Sequence, residues 1–302
     1  MTTLLDLTSR GDVGTISDES KLSSVTLMTP QQLYELWERQ HWQSHEIDFT
    51  QDRRDWANMK ETRRQILMGN LSNFFVGEER VTTQFSGLVM AYESQEEEAF
   101  LTTQQVDEAR HTQHFNRFYQ EVLGLDGSFE DRLEQARSEL NASFIELFDK
   151  ILVNWGQRLI QDPGDIEAKV DFVTLYHMII EGTLALTGQW FLTDFMERKG
   201  ILPGWVQGFK LVSRDEHRHV AYGTWFLREK AKDPALKRRI VECLGELIPL
   251  ASGVLAPRRV GGGEGSLMDY SAKETNLFAY NALQRRLKVI GIELANVSAV
   301  PA

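Results

Sequence analysis

The chain has 302 residues, 42% hydrophobic and 25% charged, with 33 Lys and Arg against 44 Asp and Glu for a formal net charge of -11. That length can bury a large core, and the composition is that of an ordinary globular protein. The acidic balance excludes nucleic acid as a main partner, and the one cysteine, Cys243, excludes an internal disulfide framework and fits a reducing cytoplasm.

Residues 1–28 are rich in Ser, Thr, Asp and Gly and are expected to form a flexible leader. They lack a basic start followed by an apolar run, so no signal peptide is expected and a cytoplasmic location is. From residue 29 to about 295 no shift in composition divides the chain, which predicts a single helical domain. Strand signals are scarce and segments of period 3.6 dominate, so the fold class is all-α. Helices are predicted over about 30–41, 59–94, 97–122, 129–161, 165–198, 203–232, 234–251 and 267–294. LGLDGS at 123–128 reads as a loop, with Ser128 and Asp131 forming a capping box for the next helix. DPGD at 162–165 and KGILP at 199–203 read as breaks, and RRVGGGEGS at 258–266 as a mobile loop.

Residues 173–193, VTLYHMIIEGTLALTGQWFLT, hold a single formal charge, Glu181. The run is long enough to span a bilayer, which takes about 20 apolar residues. It is flanked by Asp171 and Asp194 and has no basic edge, so a helix buried in a bundle is expected, with no membrane span. A lone acid there costs stability unless something pairs with it.

Three other helices carry acids on apolar stripes. In 59–94 the stripe runs Leu71, Phe75, Glu78, Thr82, Phe85, Val89; the adjacent Glu79 falls off that face. In 97–122 it runs Leu101, Gln104, Glu108, His111, Phe115, Phe118, Val122. In 203–232 it runs Trp205, Phe209, Val212, Glu216, His219, Gly223, Phe226, while His217 points elsewhere. The fourth stripe passes Val173, His177, Glu181, Leu184, Gly188 and Phe191. The order is therefore Glu, then Glu-x-x-His, twice over: Glu78 with Glu108 and His111, Glu181 with Glu216 and His219. A single Glu-x-x-His on a helix is ordinarily a surface pair or a satisfied core histidine. Two copies on inward faces, each preceded by an inward Glu from another helix, form the ligand pattern of ferritin-like di-metal bundles. Four carboxylates facing one core repel unless cations lie between them, and mixed oxygen and imidazole ligands suit iron and manganese.

The motifs GEERVT at 77–82, DEARH at 107–111, YHMIIEG at 176–182 and DEHRH at 215–219 resemble the ribonucleotide reductase small-subunit superfamily. Within it they are most similar to the ligand-binding oxidase branch, and WQSHEIDF at 42–49 resembles the Trp-containing segment of that superfamily. The resemblance implies a ferritin-like helical bundle with a four-helix di-metal core and additional helices, and a site of one manganese and one iron, or two irons. Glu78, Glu108, His111, Glu181, Glu216 and His219 would be the ligands, with Asp107, Asp215 and Trp42 as outer groups that orient them.

It further implies an oxygen-activating oxidase that joins Val81 to Tyr176 through an ether and binds a long-chain fatty acid at the metals. A homodimer is expected by the same analogy, and oxidation of an external aliphatic substrate is a further expectation. Val81 sits three residues after Glu78, on its face. Tyr176 lies five residues before Glu181, where helical spacing would favour His177, so a local helix distortion is needed to bring the tyrosine in. The alternatives are a radical-generating reductase subunit or a non-catalytic metal store or lipid carrier. Phe115, four residues after His111, stands where many radical-generating subunits have a tyrosine, and the end of the chain, NVSAVPA, does not resemble a radical-relay tail.

Overall fold

Apolar residues at three- and four-residue spacing wind into helices throughout the computed structural model, which describes residues 19–256 and 269–297. In chain order the helices are α1 (Pro30–Arg39), α2 (Thr50–Asn58), α3 (Glu61–Gln84), α4 (Ser86–Met90), α5 (Gln95–Glu121) and α6 (Phe129–Arg137). They continue as α7 (142–161), α8 (166–199), α9 (Pro203–Lys230), α10 (Pro234–Val254), α11 (Ala272–Ile290) and α12 (Leu294–Val297). Two of them contain π-wound stretches, Ile145–Ile151 in α7 and Thr174–Ala185 in α8. The all-α class holds: strands are absent among the described residues. No helix there is long and apolar enough to cross a membrane.

α3, α5, α8 and α9 form the centre. α3 lies along α5, and the π stretch of α8 packs against α9, α10 and α11. One apolar core runs from Leu22 to Val297 and includes Cys243 as a buried free thiol. Of the segment 1–28, residues 1–18 lie outside the described residues; beyond them Leu22 and Val25 are buried, and Arg228 donates to the carbonyls of Ser23 and Val25 at 2.6 Å. The glycine-rich stretch 258–266 also lies outside the described residues.

Several boundaries differ from the predicted ones. The helix expected over 59–94 stops at Gln84 and restarts as α4, leaving 91–94 non-helical ahead of Ser94, whose side chain caps α5 by accepting from the Glu97 N–H. The helix expected over 129–161 breaks before α7, where Asn141 accepts from the Phe144 N–H at 2.8 Å. Gly291, with φ 88°, ends α11 ahead of the predicted limit of 294. The Ser128–Asp131 capping box is present as read.

Helix α2 was not anticipated, because TQDRRDWAN has almost no apolar stripe and buries only Asp52 and Trp56. Its role is to cap another helix. α9 begins after Leu202, whose left-handed backbone (φ 52°) supplies no side-chain cap. Asp52 instead accepts from the Gly204 and Trp205 N–H groups at 2.8 and 2.7 Å, and Asp55 accepts from Leu202 N–H at 2.8 Å. A carboxylate at a helix N-terminus satisfies orphan donors and meets the positive end of the dipole. The start of α9, and so the height at which Glu216 and His219 stand, is fixed from α2.

Candidate metal centre

The six residues Glu78 on α3, Glu108 and His111 on α5, Glu181 on α8, and Glu216 and His219 on α9 converge and are all buried. Five of them fall into two overlapping clusters, Glu78–Glu108–His111 and Glu108–Glu181–His219, each with facing ligand atoms within 4.8 Å of one another. Glu108 belongs to both: Oε2 lies 3.5 Å from His111 Nδ1 and Oε1 lies 3.0 Å from His219 Nδ1. Glu78 Oε2 is 3.4 Å from His111 Nδ1, and Glu181 Oε1 is 3.0 Å from His219 Nδ1. Glu216, the sixth, is buried on α9 one turn before His219 and belongs to neither cluster, and burial with the charges of Glu78, Glu181 and Glu108 pushes its pKa well up.

Both imidazoles thus turn Nδ1 inward and leave Nε2 for an outer acid. The acids are exchanged between the two motifs. Asp107, next to Glu108, is 3.2 Å from His219 Nε2, while Asp215, next to Glu216, is 3.3 Å from His111 Nε2. Trp42 Nε1 donates to Asp215 at 2.6 Å, and Trp37 Nε1 to Asp107 at 2.9 Å. Arg218 donates to both acids, at 2.9 Å to Asp107 and 2.6 Å to Asp215. Arg110 donates to Asp107 at 2.8 Å and lies 3.5 Å from Asp215. Trp37, Arg110 and Arg218 were not singled out from the sequence, although the repeat reads further than Glu-x-x-His: DEARH and DEHRH share D-E-x-R-H. An acid on the far nitrogen fixes a histidine's tautomer and ring orientation. Asp107→Asn should therefore weaken metal retention by about 10- to 100-fold in a chelator-competition titration, with the fold intact by circular dichroism.

The residues fit a pair of cations. His111 Nδ1, Glu181 Oε2 and Glu216 Oε2 are buried with no hydrogen-bond partner among the described residues. Six carboxylates here carry more negative charge than the Arg110, Arg214 and Arg218 guanidiniums offset, an excess that two divalent cations would relieve. Without cations, protons must relieve the repulsion. Burial, with the Glu108 charge, pushes Glu78 up to about 7 and Glu181 to about 8. Glu216 rises well above the usual range through burial and then the charges of Glu78, Glu181 and Glu108. Burial opposes the ionised forms of Glu108 and Asp215 as well, but the His219 charge on the first, and the His111 hydrogen bond and Arg218 charge on the second, hold both below the usual carboxylate range.

A carboxyl whose folded pKa exceeds its unfolded one stabilises the fold in its protonated form, fully so below the unfolded value of 4.5, and loses that contribution as pH rises through the folded pKa. The metal-free protein should therefore melt at progressively lower temperature between about pH 5 and pH 8. The metal-loaded protein should change far less, because cations replace the protons. Calorimetric scans of both forms at fixed ionic strength check this; parallel pH profiles would contradict it.

Tyr176 and Glu181 share the π-wound part of α8. In an α-helix five residues advance about 500°, leaving the two side chains about 140° apart. With i→i+5 hydrogen bonding they line up on one face. The Tyr176 hydroxyl donates to Glu108 Oε1 at 2.6 Å. Burial, then the charges of Glu108 and Glu181, raise its pKa well above the usual value. Phe85, the residue that follows α3, packs on the Tyr176 ring with centroids 5.1 Å apart, and Val81, four residues before it, is buried. His177, the residue that spacing favoured, reaches Gln104 instead. Its Nε2 is 3.3 Å from Gln104 Oε1, and Gln104 Nε2 donates to Glu181 Oε1 at 3.4 Å. Gly223 makes room for it, since a Cβ there would overlap His177 Cβ. Phe115 is fully buried against Trp205, Phe209 and Phe74, so no phenol stands at that position.

A four-helix core presenting paired carboxylate–histidine clusters to one another defines the di-metal carboxylate class of ferritin-like proteins. The chain belongs to the ribonucleotide reductase, small chain, family, whose model matches residues 24–293. Among solved structures it is similar to an R2-like ligand-binding oxidase with an aerobically reconstituted Mn/Fe cofactor, at 26% identity and a TM-score of 0.76, covering 86% of this chain and 92% of that one. A valine-to-leucine variant of an R2-like ligand-binding oxidase, also with an aerobically reconstituted Mn/Fe cofactor, matches at 26% identity and a TM-score of 0.75 over 87% of this chain and 93% of that one.

Proposed function

We propose that this protein is an oxygen-activating di-metal oxidase holding one manganese and one iron. Glu78 and His111 would ligate one metal, Glu181 and His219 the other, with Glu108 and Glu216 between them. Asp107, Asp215 and Trp42 orient the histidines. Bound together, such redox-active cations supply electrons to dioxygen and the means to attack strong bonds. The surrounding protein contributes shape and dryness: between Val173 and Thr193 the only charged side chain of α8 is Glu181.

The single observation that carries the reading is the Tyr176 hydroxyl on Glu108, delivered by the π turn. That phenol is poised to pass its proton to a metal-ligating carboxylate, and Val81 is the proposed carbon partner. Ether formation then breaks the Tyr176 O–H and one Val81 C–H bond and makes one C–O bond. Two protons and two electrons leave for dioxygen, the oxidant. A long-chain fatty acid is the proposed further ligand, its carboxylate at the metals and its tail among uncharged side chains; aliphatic substrates of similar shape are the proposed class for any continued turnover.

Reconstitution of the full chain with manganese, iron and air, followed by peptide mass spectrometry, tests the proposal. The expected product is a peptide pair joined through Val81 and Tyr176 and lighter by two hydrogens. Unlinked peptides in fully metallated, oxygen-exposed protein would sink the crosslink, and would favour a metal store or lipid carrier. Phe115 favours the oxidase over a radical-generating reductase subunit, because no tyrosine stands there to hold a radical. We also place residues 29–295 in one domain, expect a homodimer by sedimentation, and assign the protein to the cytoplasm.

A further inference from the structure

Where a helix passes from i→i+5 back to i→i+4 hydrogen bonding, one carbonyl is skipped and loses its main-chain donor. In α8 that carbonyl belongs to Gly182. The Leu186 N–H donates to the carbonyls of Glu181 and Thr183, on either side of it. Arg286, reaching across from α11, donates Nη1 to the Gly182 carbonyl and also, at 3.1 Å, to the carbonyl of Ala282 on its own helix.

Arg286 is an unusual group to find here. It is only 2% exposed, its hydrogen bonds run to carbonyls rather than carboxylates, and its Nε has no partner among the described residues. Burial and the Arg285 charge pull its pKa down to about 9. The Glu181 charge favours the cation, but its hydrogen bonds reach only carbonyls, and a buried charge placed so adds little to stability. What it does supply is a directional donor at the one carbonyl that the π exit leaves over. Neighbouring side chains also fit the π register. A Cβ on Gly182 would lie 2.5 Å from the His177 carbonyl five residues back, and Thr183 Oγ1 donates to the Met178 carbonyl, again five back, at 2.7 Å.

We propose that Arg286 is a positioning residue for Tyr176: by satisfying the Gly182 carbonyl it holds residues 174–185 in the π register, and so keeps the Tyr176 hydroxyl on Glu108. Loss of that register removes one residue from the turn and rotates everything upstream by about 100° relative to Glu181. The clasp itself stands on geometry alone; only its effect on crosslinking rests on the proposed oxidase chemistry.

Two variants of the full chain test it from opposite sides. Arg286→Met removes the donor but keeps apolar bulk, and Gly182→Ala leaves Arg286 in place but sets a methyl group against the His177 carbonyl. Hydrogen–deuterium exchange on metal-free protein should show amides in 178–187 exchanging about tenfold faster in both variants, while α3 and α5 are unchanged. Arg286→Lys, which can still donate to the carbonyl, should restore slow exchange. After reconstitution, Arg286→Met should load both metals yet form about tenfold less Val81–Tyr176 product. Wild-type exchange across 178–187 in Arg286→Met and Gly182→Ala overturns the proposal. Because exchange is read without metal or oxygen, it decides the clasp even if the wild-type protein never forms the ether.

Discussion

Glu108→Gln should retain less than about a tenth of the wild-type content of both metals, counted per chain by elemental analysis after reconstitution and desalting. Among the described residues no other carboxylate is in both clusters, and Glu108 has one oxygen 3.5 Å from His111 and the other 3.0 Å from His219. An amide can offer one neutral oxygen but turns an NH2 group toward the second imidazole, so it fails on charge and on geometry together. Glu78→Gln and Glu181→Gln should each deplete mainly one of the two positions, since each acid meets a single histidine. Full loading of both metals in Glu108→Gln would refute its bridging role. Unchanged loading in Glu181→Gln would remove that residue from the ligand set.

Tyr176→Phe should load metals to near the wild-type level yet yield no linked peptide, with the Val81 peptide recovered whole after exposure to air. The hydroxyl is the only group lost, and the ring keeps its contacts with Phe85 and with Phe172, 5.7 Å away. Glu108 loses a 2.6 Å hydrogen bond but remains a ligand, so metal content should move by less than about tenfold. A peptide joined at Val81 in this variant would show that another side chain is the partner, His177 being adjacent in sequence. Equal oxygen consumption by Tyr176→Phe and wild type during reconstitution would count against the phenol as an electron source.

The centre was more legible than its supports. Glu78, Glu108, His111, Glu181, Glu216 and His219 stand out because an acid on an apolar stripe contradicts the pattern around it, and the contradiction repeats in the same order, Glu and then Glu-x-x-His. The repeat carried Asp107 and Asp215 as well, but nothing local says that each serves the other motif's histidine, because that pairing exists only once α5 and α9 are packed together. Tyr176 was invisible to periodicity, since a 3.6-residue period assumes the hydrogen-bond register that α8 abandons between Thr174 and Ala185. Thr183 and Gly182 carry the local signs of that change, yet the Arg286 donor comes from more than 100 residues away. Helix α2 escaped for a different reason: its contribution is two carboxylates at the start of α9, so it needs no apolar stripe.

The exchange of outer acids between the two motifs has a thermodynamic consequence. A cation that fixes His111 also fixes Asp215 and, through Arg218, Asp107 on His219. The ordering cost of the second position is then partly met by filling the first, which is positive coupling between two binding events. Titration with one metal should show few singly occupied molecules, and breaking the link with Arg218→Met should make occupancy stepwise. Selection between manganese and iron would then act on the pair as a unit, at whichever position fills last.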